Sequence, residues 1–177
     1  MLDKHTLSSV PIGTNQFGHM QFDTTRSEVG EALYQLKYRQ DFTRVTDLAH
    51  VLATTVYREF QDVGLLISMP ASNIRIKQPV TELTKALGSI VGVPVFEDLV
   101  TKESTGKQLK DLATKGEKLE VVGKSFIVND LIEGEGPWNA LLIDDLFDTG
   151  ASLESACTSL RGYRKIKRLY VAALTWK

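Results

Sequence analysis

Two adjacent carboxylates, Asp144 and Asp145, follow the apolar run Leu141, Leu142, Ile143 and lead past Asp148 into the small-residue turn Thr149, Gly150, Ala151, Ser152. Those residue types at that spacing suit a phosphorylated sugar. Residues 152–160 carry apolar positions at helical period, so the turn opens a helix. The first N–H groups of a helix lack partners within it and lie at the positive end of its dipole, and Gly150 lets the backbone approach an anion closely. The hydroxyls of Thr149 and Ser152 add donors. Asp144 and Asp145, at the carboxyl end of a strand, are placed to accept hydrogen bonds from sugar hydroxyls or to face Mg²⁺ carried on sugar phosphates. Asp148 is also in position to cap the helix.

The rest of the chain supplies the elements that must hold these residues. Val45, Leu48, Ala49, Leu52, Val56 and Phe60 recur at helical spacing, with Asp41 or Thr43 near the start. Residues 64–69 then form a short apolar run ending at Pro70, the pattern of a buried parallel strand. Val80, Leu83, Leu87, Ile90 and Val91 mark another helix, with Pro79 suited to its first turn and Gly88 or Gly92 to its end. Strands are expected at 93–98, 125–128 and 168–175, with a Gly/Pro-marked connection over 130–138. This alternation predicts an α/β fold, a doubly wound parallel sheet flanked by helices. Ligands bind such sheets beyond the carboxyl ends of the strands, where strand order reverses. Two strand ends therefore define the candidate site: 144–152, and the small-residue segment Ser68, Met69, Pro70, Ala71, Ser72. Residues 1–26 read as an irregular arm or a short hairpin.

Composition narrows the functional classes. A chain of 177 residues, 42% hydrophobic and 24% charged, is the size of one globular domain. Its 21 basic and 22 acidic residues give a net charge of −1, so no global field draws it to nucleic acid or to a membrane. With no signal-peptide hydrophobic region and no bilayer-length apolar run, the expected location is cytoplasmic. The lone cysteine, Cys157, excludes an internal disulfide and a cysteine-based zinc site, and it falls on the apolar stripe of Leu153, Ala156 and Leu160 as a buried structural thiol. His5, His19 and His50 are scattered and point to neither a metal site nor a Ser-His-Asp triad.

The 144–152 segment closely resembles the phosphoribosyl pyrophosphate (PRPP) signature of type I phosphoribosyltransferases, in which two acidic residues follow an apolar strand and lead into a Thr-Gly phosphate loop. Two further segments are similar to the ComF-like branch, relatives of a bacterial competence protein. One is GEALYQLKYRQD, residues 30–41, where an apolar helix ends in Lys-Tyr. The other is Gln108 and Leu109 followed by Gly123, Lys124, Ser125 and Phe126. The resemblance covers about residues 30–177. The chain departs from that branch at 73–78, where the branch often carries an Arg-Gly-Phe-Asn-Gln type segment. It departs again at Lys115, Gly116 and Glu117, and in lacking paired zinc-binding cysteines.

The resemblance implies a type I phosphoribosyltransferase-like core over 44–177, preceded by an arm or partial hood over 1–43. It implies an enzyme that moves phosphoribose from PRPP to a nitrogenous acceptor with Mg²⁺. Asp144 and Asp145 would hold the ribose and the metal. Thr149, Gly150, Ala151 and Ser152 would take the 5-phosphate, and Pro70, Ala71 and Ser72 the diphosphate. Asp148, at a position associated in purine-type relatives with the accepting base, would position the nucleophile or manage its proton as the catalytic residue. Residues 101–116 lie where the family carries a closing loop. Lys102, Lys107, Lys110 and Lys115 there, with Arg75 or Lys77, are candidates to offset the charge of the departing diphosphate. Trp138 and Phe147 could stack on a base. The expected partners are PRPP or a nucleoside monophosphate, a second copy in a homodimer, and a DNA-processing partner, with no membrane. The alternative is a non-catalytic PRPP- or nucleotide-binding accessory module linked to DNA uptake or processing. For it, the basic residues Arg161, Arg164, Lys165, Lys167 and Arg168 are either a nucleic-acid contact or a solvated helix end.

Overall fold

The computed structural model describes residues 2–60, 62–71, 75–102 and 126–177. Ser72, Asn73, Ile74, Lys107, Lys110, Lys115, and Gln108 to Ser125 with its Gly123 and Lys124 lie outside the described residues. The chain runs β1 (Asp3–Lys4), β2 (Thr6–Thr14), β3 (Met20–Arg26), α1 (Glu28–Tyr38) and α2 (Arg44–Thr55), then a 3₁₀ turn (Tyr57–Glu59) and β4 (Leu65–Ser68). It continues through α3 (Pro79–Val91), β5 (Val95–Phe96), β6 (Val100–Lys102), β7 (Phe126–Val128), β8 (Trp138–Phe147), α4 (Ala151–Arg161) and β9 (Ile166–Trp176). Five strands form one sheet in the order β1-β9-β8-β4-β5, every neighbouring pair parallel. The expected α/β class and parallel sheet flanked by helices are what the structure has.

Side-chain alternation sorts the core into two layers. Leu66, Leu141 and Ile143 face α1, α2 and α3, where Leu36, Leu48, Leu52, Leu83 and Leu87 are buried. Leu65, Ile67, Ala140 and Leu142 face the other way, onto Leu153, Ala156, Cys157 and Leu160 of α4 and onto Leu99, Val100 and Phe126. Helix ends follow local chemistry. The Ser27 hydroxyl accepts the Gly30 N–H at 3.0 Å to start α1, and α3 opens on Pro79 and closes on Gly92 at φ +70°. No helix among the described residues is long and apolar enough to cross a membrane.

The strands predicted at 93–98, 125–128 and 168–175 are present, but β7 pairs antiparallel with β6 in a separate two-stranded ladder. Within residues 1–26, β2 and β3 form an antiparallel hairpin, while β1 lies along the sheet edge beside β9. α1 packs so tightly on this edge that a Cβ on Gly30 would stand 2.2 Å from the His5 carbonyl oxygen.

Candidate active site

Between β4 and β8 the order of the sheet reverses, since β5 follows β4 on one side and β9 follows β8 on the other. Such a reversal opens a crevice at the carboxyl ends of the two strands. Pairing of β4 with β8 stops at Ser68↔Ile143, yet β8 continues beside β9 to Phe147↔Trp176. Asp144 and Asp145 are therefore strand residues overhanging the crevice. The apolar run at 141–143 accounts for only the middle of a strand that spans Trp138–Phe147, because the partner that extends it lies in a distant segment.

Strand alternation starts the two side chains on opposite sides of β8, but at the strand end both carboxylates reach the same crevice, close enough to interact. Asp145 is 9% exposed and continues the Leu141 and Ile143 face, where it meets the Lys37 ammonium from the end of α1 at 2.6 Å. Its carbonyl accepts a hydrogen bond from the Thr175 hydroxyl at 3.2 Å. Asp144 continues the Leu142 face. Burial, reinforced by the neighbouring Asp145 charge, pushes its pKa up to about 6, while the Asp145 N–H donating to Asp144 Oδ1 at 2.8 Å works in the opposite direction. On the same side Lys102 has its pKa pushed down by burial and drawn back up by the Asp144 carboxylate.

The turn after β8 packs closely on the Phe147 ring. Gly150 sits at φ +78°, and a Cβ there would stand 2.9 Å from the Phe147 ring, so the ring lies directly under the turn. Gly150 is the N-cap of α4, and the Ala151 N–H donates to the Thr149 hydroxyl at 3.4 Å. Asp148 does not cap the helix; its half-exposed carboxylate accepts from the Lys177 ammonium at 2.9 Å.

These pieces enclose a cavity of about 280 Å³. Asp144, Asp145, Asp148, Thr149, Gly150, Ala151 and Ser152 line it from the β8–α4 side, and Pro70 and Ala71 from the end of β4. Among the described residues, the cations Lys37, Arg75 and Lys102 line it. The Arg75 guanidinium donates to the Lys37 carbonyl at 3.0 Å, which ties the segment after β4 to the end of α1.

Several residues singled out in the sequence fall elsewhere. Trp138 and Phe147 occupy opposite ends of β8, about 30 Å apart at the usual rise per strand residue, so Trp138 does not reach the cavity. Lys77 stands 5.5 Å from the Phe42 ring and outside the cavity lining. His5 packs behind Asp145 with Nδ1 3.2 Å from the Thr175 hydroxyl, and its pKa is pushed down by burial and by the Arg26 and Lys37 charges. Two members of the basic cluster are engaged, Lys165 with Asp130 at 2.8 Å and Arg168 with Asp62 at 3.1 Å. Among the described residues no group of three or more His, Cys, Asp or Glu is placed to hold a metal. The residue that sequence reasoning missed is Lys37. Its one signal is its place at the end of the 30–41 segment, directly after the buried Leu36.

No protein-family model and no curated protein matches the chain. Solved structures do. The xanthine-guanine-hypoxanthine phosphoribosyltransferase of Helicobacter pylori aligns over 77% of this chain and 75% of its own, at 15% identity and a TM-score of 0.50. The glutamine PRPP amidotransferase of B. subtilis, complexed with ADP and GMP, aligns over 90% of this chain and 34% of its own, at 12% identity and a TM-score of 0.56. The chain spans 63% of a Staphylococcus aureus hypoxanthine phosphoribosyltransferase, at 18% identity over 75% of its own length and a TM-score of 0.44. The fold of this chain is similar to that of the type I phosphoribosyltransferases.

Proposed function

We propose that the chain binds PRPP with Mg²⁺ and transfers its phosphoribosyl group to a nitrogenous acceptor. One observation carries this reading. The Asp144–Asp145 pair and the Gly150 turn at the start of α4 face the same cavity as residues 69–71 and the cations Lys37, Arg75 and Lys102, at the point where the sheet order reverses. The backbone N–H groups from Thr149 to Ser152 take the 5-phosphate at the positive end of α4. Asp144 and Asp145 accept from the ribose hydroxyls. Pro70 and Ala71 bracket the diphosphate.

The acceptor nitrogen forms a bond to the anomeric carbon as the bond from that carbon to the diphosphate oxygen breaks, and the diphosphate leaves with the electron pair. Lys37, Arg75 and Lys102 oppose the charge that gathers on it. Asp148 faces the acceptor and receives the proton its nitrogen gives up. A two-carboxylate donor set suits a metal held mainly by phosphates, as Mg²⁺ usually is, so Asp144 and Asp145 would hold it only together with the bound PRPP. When bound, Mg²⁺ supplies electrostatic neutralisation of the diphosphate. The Lys37–Tyr38 ending of α1, with Lys37 in the cavity, supports a relation to the ComF-like branch. A water-soluble donor and acceptor fit a cytoplasmic protein.

A second reading, binding without transfer, is favoured by the acceptor side, where Asp148 is already paired with Lys177 and Trp138 is remote. Calorimetric titration of PRPP with Mg²⁺ into the wild type and the Asp144→Asn/Asp145→Asn variant tests both. Saturable binding by the wild type, weakened more than about tenfold in the variant, is expected. Pyrophosphate release with a panel of purine and pyrimidine bases then separates transfer from binding alone. A folded wild type that binds no PRPP overturns both readings.

A further inference from the structure

A second cavity, of about 350 Å³, shares no lining residue with the crevice. Gly64, just before β4, and Trp138, the first residue of β8, place it toward the amino ends of those strands, whereas the crevice lies at their carboxyl ends. Phe96 of the edge strand β5 forms one wall, and Ile132 and Glu133 of the connection between β7 and β8 form another. The volume suits one small molecule.

The walls are held in place from behind. The Trp138 N–H donates to the Lys165 carbonyl at 2.7 Å, and two glycine backbones bracket the indole: a Cβ on Gly64 would stand 3.0 Å from Cε3, and one on Gly136 3.2 Å from Cδ1. The ring is nevertheless 44% exposed. Ile132 is buried, and its carbonyl accepts from the Lys165 ammonium, which also meets Asp130 at 2.8 Å. These contacts anchor the connection and engage the Lys165 charge away from Glu133.

The charge offered to the cavity has one sign. Among the described lining residues Glu133 alone is charged, and no hydrogen bond or ion pair among the described residues engages its carboxylate. An anionic ligand would meet only a like charge there. A cation would meet a carboxylate and two aromatic rings, and aromatic faces attract positive charge, that of Trp most strongly. We infer that this cavity binds a small organic cation, an ammonium group on an apolar body, with the body against Phe96 and Trp138 and the charge at Glu133. The inference gives a role to Trp138, which does not reach the crevice, and it does not rest on the binding of PRPP.

Three probes that share one body and differ in charge test it on the full chain: phenethylammonium, phenethyl alcohol and hydrocinnamate. The indole N–H signals of the two tryptophans in ¹H–¹⁵N spectra, assigned with Trp138→Phe, report binding. Phenethylammonium should move the Trp138 signal saturably, with a dissociation constant of about 1 mM or below, and leave Trp176 in place. It should bind about fivefold more tightly than the alcohol, and hydrocinnamate more weakly than either. Glu133→Gln, at an exposed position, should keep the wild-type circular dichroism spectrum and erase the advantage of the ammonium over the alcohol. A Trp138 signal that does not move at about 10 mM phenethylammonium overturns the proposal. Equal binding of the ammonium and the alcohol by the wild type also overturns it and assigns the cavity to a neutral apolar group. A preference for the ammonium that survives Glu133→Gln overturns the place given to the charge.

Discussion

Asp144 is held where its charge is least welcome. It is pressed into a largely buried place beside a second carboxylate, and its pKa of about 6 lies above its ordinary value of 3.8. The folded chain thus holds the Asp144 proton more tightly than the unfolded chain. Stability contributed by this group falls as pH rises from about 4 to about 6, and the full penalty stands above that window. Asp144→Asn removes the charge and keeps an oxygen to accept the Asp145 N–H. It should stabilise the chain at pH 7.5 by on the order of 1–3 kcal/mol, a gain that fades toward pH 4. Urea denaturation of both proteins at the two pH values checks this. If its removal strengthens the fold while weakening PRPP binding, Asp144 trades stability for the proposed site.

At the scale of elements, the position of Lys37 depends on how closely α1 lies against β1. Gly30 permits that approach, and the obstructing atom is a backbone carbonyl that no rotamer change can clear. Gly30→Ala should cost about 1–3 kcal/mol, seen as a lowered urea midpoint, and should shift Lys37 away from Asp145. The sequence carries the elements themselves well. Pro79, Gly92 and the stripe between them outline α3, and the Asp-Asp-to-Ser152 segment marks the crevice, because caps, period and turn chemistry are local signals. What it does not carry is pairing across the chain. That β8 runs on past Ile143 depends on β9. The two neighbouring aspartates look alike as letters, and only the folded strand shows that Asp145 takes the ion pair with Lys37 while Asp144 carries the raised pKa. For residues 1–26 the sequence leaves an irregular arm and a short hairpin both open, since β2 and β3 mix Pro, Gly and Ser with isolated apolar residues and bury none of them.

At the scale of the molecule, α1, the end of β4, β8 and the start of α4 all contribute to one cavity, so a ligand there ties together segments from most of the chain. PRPP with Mg²⁺ at a hundredfold excess over its dissociation constant should raise the melting temperature by roughly 5–10 °C. Differential scanning calorimetry should show that rise vanish in the Asp144→Asn/Asp145→Asn variant. The edge of the sheet adds a further consequence. His5 meets Thr175, 170 positions later, and the same Thr175 hydroxyl donates to the carbonyl of Asp145. Contacts so distant in sequence carry a high loop-closure cost and form slowly compared with those inside a helix. The crevice thus belongs to no fragment. A nascent chain that has not yet produced β9 has its carboxylates and its turn but no strand to hold β8 straight beyond Ile143, so on the proposed reading the ability to bind PRPP would wait until β9 is laid between β8 and β1.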